Sequence, residues 1–400
     1  MTTRYRFVHA LYQNVLYERV PVAQRVRYHQ RIGERAESGY GERAGEITAE
    51  LARHFEQGRD FRRAVHYLLQ AAENSIRRYA YREPISHVTT GLSLLERLPE
   101  TPERRQREFR LHIILGMSLI ITQGFASPDV RAAYTRALEL GRQLGESRQL
   151  FTVLVGLWQS STARAEHRAA YEFAEHMLNV AWQEQDPVLL LQARSALRMS
   201  AFLLGELTRA REHGEEPTVP VGGDHGSAQV SATWLGPGIV GQWDALVLWQ
   251  LGYPDQAREK MREALADTAR LSHLSLAATL FLAAVLYQLC RDTQRTHEQI
   301  EALIALGTEH GFPFYLALSA GLRGWVLTEQ GEEESGIAQM RQGLATYLAS
   351  GAELFRPYWL ALLATAYSNR GQPEEGLNVV DEALAIVNTG EERFYEAELY

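Results

Sequence analysis

A single cysteine, Cys290, stands among 400 residues. It excludes an internal disulfide and any cysteine-rich metal site. Lysine is equally scarce: Lys260 is the only one, and the remaining positive charge of the side chains is arginine. No glycine-rich G-x-x-x-x-G-K-[ST] stretch surrounds Lys260, so a Walker A motif is excluded. No run comes near the roughly 18 apolar residues that a membrane helix requires. The start, MTTRYRFVHALYQNVLYERV, lacks the basic, apolar and small-residue order of a secretory signal. These absences point to a cytoplasmic protein without membrane association. H-E-x-x-H, other compact metal-ligand spacings and a G-x-S-x-G elbow are missing too. His225 in GGDHGS reads as a loop histidine, since the adjacent Asp224 is poorly placed to orient it. The sequence therefore names no catalytic residue, no metal ligand and no cofactor. The net charge of −8 argues against direct nucleic-acid binding. That charge is uneven, about +5 over residues 1–35 and about −8 over 331–400. The basic start reads either as a face toward DNA or an acidic partner domain, or as a solvated helical surface.

What is present is a repeat. Apolar residues recur at helical spacing, and strand-type alternation is scarce. The helices are separated by similar turns: Gly205-Glu-Leu-Thr-Arg-Ala210, Gly252-Tyr-Pro-Asp-Gln-Ala257, Gly331-Glu-Glu-Glu-Ser-Gly336 and Gly371-Gln-Pro-Glu-Glu-Gly376. The glycine suits the end of one helix. Proline or acidic residues suit the first turn of the next. A small residue five places on permits close helix–helix approach. Gly331 and Gly371 lie 40 residues apart, and the same step back from Gly331 reaches Arg291. Gly252 lies 39 before that, and Ala165 lies 40 before Gly205. Only the step from Gly205 to Gly252, 47 residues, breaks the period. Glu263-Ala264-Leu265, Gln342-Gly343-Leu344 and Glu382-Ala383-Leu384 each begin eleven residues after a turn glycine. Such self-similarity predicts a helical solenoid in which stacked pairs bury what one pair cannot.

The stretch GPGIVG, Gly236 to Gly241, matches the G-x-G-x-x-G spacing of dinucleotide-binding folds. An oxidoreductase built on it needs a βαβ unit, and the strand-like AQVSATWL has no parallel neighbour in a helical repeat. The run IVGQWDALVLWQL instead predicts the first helix of the pair that turns at Gly252, with Val240, Trp243, Val247 and Leu251 on one side. Gly236 and Gly238 then belong to a Gly- and Pro-rich irregular insertion near 217–238. An insertion of this length is able to close over a ligand.

The turn pattern resembles tetratricopeptide repeats. Three stretches extend the likeness: YRFVHALYQNVLYERVP, QRIGERAESGYGERAGEITAELARHFEQGRDFRRAVHYLLQAAENS and GFPF…GWVLTEQG. Together they resemble the C-terminal region of bacterial STAND-type signal-transduction ATPases, similar to the maltose-regulon activator. Some relatives are fused to adenylate/guanylate cyclase or protein kinase domains. The resemblance implies an all-α, right-handed superhelix of antiparallel helix pairs, about eight or nine of them. It implies a segment over 1–58 resembling the end of a winged-helix/ATPase-linker region, then a solenoid over 59–400. It implies that His9, in FVHAL, senses nucleotide in a full-length parent; a histidine packed at a helix start is the other reading. It also implies a concave groove lined by first helices. By analogy those positions are Gln159, Thr162, Phe202, Gln242, Trp249, Gln288, Trp325, Thr328, Tyr358, Thr365 and Ser368. Such a groove fits a protein partner, a peptide or a neutral small-molecule inducer. Two functions follow: the sensor and interaction arm of a STAND-type ATPase or cyclase regulator, partnered by the ATPase domain of the same parent, or a stand-alone scaffold. After Gly390 the run EERFYEAELY reads as the start of another first helix. Phe394, Tyr395, Leu399 and Tyr400 would then lack a covering second helix, as in a fragment of a longer protein or a truncated gene.

Overall fold

The computed structural model describes residues 10–78, 80–145, 147–215, 240–269 and 273–400. His9, His225, Gly236, Gly238 and the 217–238 insertion lie outside the described residues. Among the described residues every regular element is helical and none is a strand. The chain divides into two compact units, Met1–Ser118 and Leu119–Tyr400.

Unit 1 carries the helices Ala10–Arg19, Val22–Tyr40, Thr48–Gln57, Phe61–Arg77 and Glu83–Leu95 and the start of Pro102–Gln123. Its core gathers Leu51, Phe55, Val65, Leu68, Val88, Leu95 and Leu111. Phe55 stacks on Tyr67, with ring centroids 5.7 Å apart. The Tyr67 hydroxyl donates to Glu37 at 2.5 Å. Beside this core the Nδ1 atoms of His29 and His54 share a 2.9 Å hydrogen bond. The Tyr17 hydroxyl meets the other ring nitrogen of His29 at 2.9 Å. One ring must donate and the other accept, so this bond holds only while at least one ring is neutral.

Unit 2 begins with the end of Pro102–Gln123 and the helix Pro128–Leu144. Among the described residues it continues in six pairs, each a first helix (A) and a second (B). The A helices are Ser147–Ala163, Pro187–Leu203, Val240–Gln250, His273–Leu289, Pro313–Glu329 and Arg356–Asn369. The B helices are His167–Glu184, Leu207–Glu215, Pro254–Thr268, Thr293–His310, Glu333–Ala349 and Pro373–Thr389. Every A-to-B turn places its residue in the left-handed region: Ala165 φ 56°, Gly205 φ 76°, Gly252 φ 85°, Arg291 φ 55°, Gly331 φ 85° and Gly371 φ 78°. The capping bonds repeat as well. Gly331 N–H donates to Thr328 C=O at 3.1 Å, and Glu332 N–H to Leu327 C=O at 2.9 Å. Gly371 and Gln372 do the same to Ser368 and Tyr367. This is the Schellman arrangement, which satisfies carbonyls that a helix end leaves without partners.

The small residue five places after each turn is buried where A and B cross: Ala170, Ala210, Ala257 and Thr296 are fully covered. Gly336 is the tightest case, since a Cβ there would lie 2.5 Å from Gly324 C=O and from the Thr328 methyl. Each A helix touches its own B helix and the A helix of the next pair. The A helices thus form one layer and the B helices the other. Trp243 and Val247 of the helix predicted from IVGQWDALVLWQL are buried in the A layer.

Two outcomes are expected. Burial lowers the proton affinity of His54 first, with His29 and Arg53 adding to it; burial also lowers that of His29, ahead of Arg53 and Arg25. An unfolded histidine takes its proton near pH 6.5, where the folded ones still resist. Unit 1 therefore loses stability as pH falls below about 6.5, because the unfolded chain binds more protons. Urea midpoints at pH 7.5 and 5.5 should differ less in His54→Gln than in the unaltered chain. In unit 2, Gly336→Leu should cost about 1–3 kcal/mol through overpacking, read as a lower urea midpoint at unchanged slope.

Candidate functional site

The A layer is covered on more than its B-facing side. In the helix His273–Leu289, Ser275 and every residue from Ala277 to Gln288 are buried. In Pro187–Leu203, burial is unbroken from Ser195 to Leu203. The chain itself covers the A helices there. The link between the helices Glu333–Ala349 and Arg356–Asn369 crosses to the first pair, where Glu353 and Leu354 N–H groups donate to Ala163 C=O at 2.8 and 3.2 Å. Phe355 follows with φ 63°, a costly left-handed backbone for a bulky residue. Its ring lies 5.9 Å from Phe281 and 5.1 Å from Phe394. Together with Leu354, Gln242, Trp243, Phe281 and Phe314 it lines a small, largely apolar pocket.

The second filler is Glu391–Tyr395. Here the structure corrects the expectation of another first helix. Gly390 takes an extended conformation, φ −97°, ψ −165°, and ends the preceding helix. Residues 391–395 then run without helix, before a short 3₁₀ turn over Glu396–Leu399. The physical reason lies in what the two carboxylates find. Glu391 accepts from Arg168 N–H at 2.7 Å and pairs with the Arg168 guanidinium at 3.2 Å. Glu392 is 4% exposed; one of its oxygens accepts from Phe355 N–H at 2.9 Å and lies 3.2 Å from His167 Nε2. His167 and Arg168 open the helix His167–Glu184, whose free N–H groups and dipole favour negative charge. Arg393 N–H donates to Leu203 C=O at 2.7 Å, and the Gln250 amide donates to Phe394 C=O at 3.1 Å. The Phe394 ring sits 5.2 Å from Phe202 and 6.1 Å from Tyr358. Leu399 is buried, packed with Leu360, Ala361, Ala383 and Val387, while Tyr400 is 83% exposed.

Magnitudes show how firmly this segment is held. Burying a phenylalanine contributes about 2–3 kcal/mol. Hydrogen bonds to a charged group contribute about 1.5–3 kcal/mol each. Fixing the backbone costs about 1–2 kcal/mol per residue. Over five residues gain and cost are similar, so the specific contacts decide whether the segment stays.

The positions read from the sequence separate into groups. Phe202, Gln288 and Tyr358 come together: Tyr358 Oη donates to Gln288 Oε1 at 2.8 Å, and Phe202 and Tyr358 both meet Phe394. Burial pushes the Tyr358 phenol far above its ordinary proton affinity and that of Tyr395 up to about 12, so both remain neutral donors. Gln159, Thr162 and Gln242 are buried, and Gln159 Nε2, Thr162 Oγ1 and Gln242 Oε1 find no hydrogen-bond partner among the described residues. Trp325 is buried and Trp249 half-buried. Thr328 turns to its own pair instead: its methyl lies against the Gly336 backbone, and its hydroxyl donates to Trp325 C=O at 2.7 Å. Thr365 and Ser368 are exposed, and the Thr365 hydroxyl bonds back to Ala361 C=O at 3.0 Å. The structure does not bring these three to the Phe394 cluster. Sequence reading missed His167, Leu203, Gln250 and Phe355. Only the aromatic density of LFRPYW and RFY signalled them.

No family model matches the sequence. Over 409 aligned positions the chain is 25% identical to a protein of Rhizobium meliloti (strain 1021) described as uncharacterized; the match covers all of this chain and 39% of the relative. The chain thus spans about two-fifths of the length of the curated relative it matches. Among solved structures it is similar to a Rap protein complexed with Competence and Sporulation Factor, at 13% identity and a TM-score of 0.56, covering 92% of this chain and 98% of that one. A looser likeness, to the apo form of RapI, has a TM-score of 0.40 at 14% identity over 82% of this chain and 99% of that one, and carries no argument. Repeated turns, alternating A and B layers and the first likeness define the class: an all-α, tetratricopeptide-like right-handed helical solenoid.

The Tyr358–Gln288 bond gives a third expected outcome. Gln288→Leu strands a buried hydroxyl and should cost about 1–3 kcal/mol, while adding Tyr358→Phe should recover part of the loss. Urea unfolding of the single and double variants measures both.

Proposed function

We propose that the chain is a non-catalytic sensor and protein-interaction module whose concave A layer takes a protein partner, a peptide or a neutral small-molecule inducer. The observation that carries this reading is the pocket on the A helices where Gln242, whose Oε1 finds no partner among the described residues, stands beside the aromatic walls of Trp243, Phe281 and Phe355. Apolar walls with a few polar groups are the usual lining of a binding site. The structurally similar Rap protein is itself in complex with Competence and Sporulation Factor, which supports a binding role for this architecture. We further propose that the module is the C-terminal arm of a STAND-type ATPase or cyclase regulator. In that parent, residues 1–58 join the arm to the ATPase domain, and His9 senses nucleotide. Support comes from the resemblance of the three quoted stretches. It also comes from exposed apolar side chains on the first two helices, including Val22 at 56%, Tyr28 at 50% and Ile32 at 47%, a surface suited to a neighbouring domain.

An antibody raised against the chain tests the parentage: in source cells the regulator reading expects a band well above 45.2 kDa, and a band at that mass favours the stand-alone scaffold. Cross-linking followed by affinity capture tests the groove. A partner held there should fall at least tenfold, about 1.4 kcal/mol of affinity, in Phe202→Ala and persist in a variant altered on the exposed B-helix surface, such as Glu298→Gln.

A further inference from the structure

The segment Glu391–Tyr395 is seated as a bound peptide would be. Its anchors come from widely separated repeats: His167 and Arg168 of the first pair, Leu203 of the second, Gln250 of the third, Phe355 and Tyr358 of the last. Along the segment Glu392 and Phe394 are buried, while Arg393 between them is exposed. The segment then closes in a turn, where Glu396 N–H donates to Arg393 C=O at 3.2 Å and Tyr395 takes φ −112°, ψ 7°. Main-chain bonds run both ways, with Arg393 N–H donating and Phe394 C=O accepting. In peptide recognition, main-chain bonds supply affinity and side-chain pockets supply selectivity. Both pockets are specific. The first offers the Phe355 N–H and the His167 ring to one carboxylate. The second is a ring of aromatic faces, Phe202, Phe355 and Tyr358. Two details give close fit at the ends. A Cβ on Gly205 would lie 3.0 Å from Arg393 Cβ, so only glycine admits the segment without a shift. A Cβ on Gly390 would lie 2.7 Å from Ile386 C=O, so glycine also permits the departure from the preceding helix.

From this geometry, and resting on the reading of unit 2 as an interaction arm, we infer that Glu391–Tyr395 is a built-in occupant of the partner site. The site recognises a short peptide with a glutamate two residues before an aromatic residue that opens a turn. A partner segment of that chemistry competes with the chain's own, and the arm is closed to partners while the segment is seated. Phe355 is part of the device. Its left-handed backbone is held by the bond to Glu392 and by the rings around it, so release of Glu392 frees the strained residue that lines the same pocket.

The test uses the full chain and a fluorescein-labelled, end-blocked peptide of sequence TGEERFYEA, followed by anisotropy. Glu392→Gln keeps the shape of the side chain but removes its charge, and should bind the peptide at least tenfold more tightly than the unaltered chain. Phe394→Leu keeps an apolar group in the pocket and should do the same through the second anchor. A peptide with alanine in place of phenylalanine should lose at least tenfold on either variant, as should the double variant Phe202→Ala/Glu392→Gln with the original peptide. Equal affinity of the unaltered chain and both variants overturns the inference, as does equal binding of the alanine peptide. The interaction-arm reading fails by a different result, a captured partner that Phe202→Ala leaves in place.

Discussion

Each helix pair of unit 2 depends on one residue in the left-handed region between its two helices. That residue reverses the chain in a few positions, and its Schellman bonds close the first helix without help from solvent. With the reversal fixed, the small residue five places later falls at the crossing of A and B, where Ala170, Ala210 and Gly336 let backbones approach. Close approach within a pair aligns the A helices of successive pairs in one layer. The side of that layer turned away from the B helices must also be covered.

The chain does so with its own segments. Leu354 and Phe355 bond to or pack against A helices of earlier pairs, and Glu392 and Phe394 close over them. Two acidic side chains meet the amino end of the helix His167–Glu184, where backbone N–H groups have no intrahelical partner. The aromatic rings occupy the neighbouring apolar surface. Charge at a helix end and aromatic burial are distinct forces, and here they fix one segment in one register.

The repeat was legible because its physics is local. A glycine, a polar turn and a small residue recur near 40 residues, and the positions inferred by that step alone, Ala165 and Arg291, also take positive φ without being glycine. The candidate site was legible only in part. Phe202, Gln288 and Tyr358 were found because their spacing from the turns places them on the A helices. Thr328, Thr365 and Ser368 share that spacing, yet two are exposed and one serves its own pair, because spacing fixes a face and not what covers it. His167 was hidden at a B-helix start, and Glu392 in a run whose helical pattern matched the other first helices. Their pairing spans 225 residues and depends on how successive pairs stack, which no local pattern encodes.

The central claim is that the side of the A layer turned away from the B helices is covered by the chain itself. Hydrogen exchange of the Arg393 and Phe355 backbone amides, resolved residue by residue at neutral pH, tests it most directly. The account predicts exchange slowed by about a hundredfold or more relative to an unstructured chain, as for amides buried in stable structure. Exchange of both amides at the rate of an unstructured chain would contradict it.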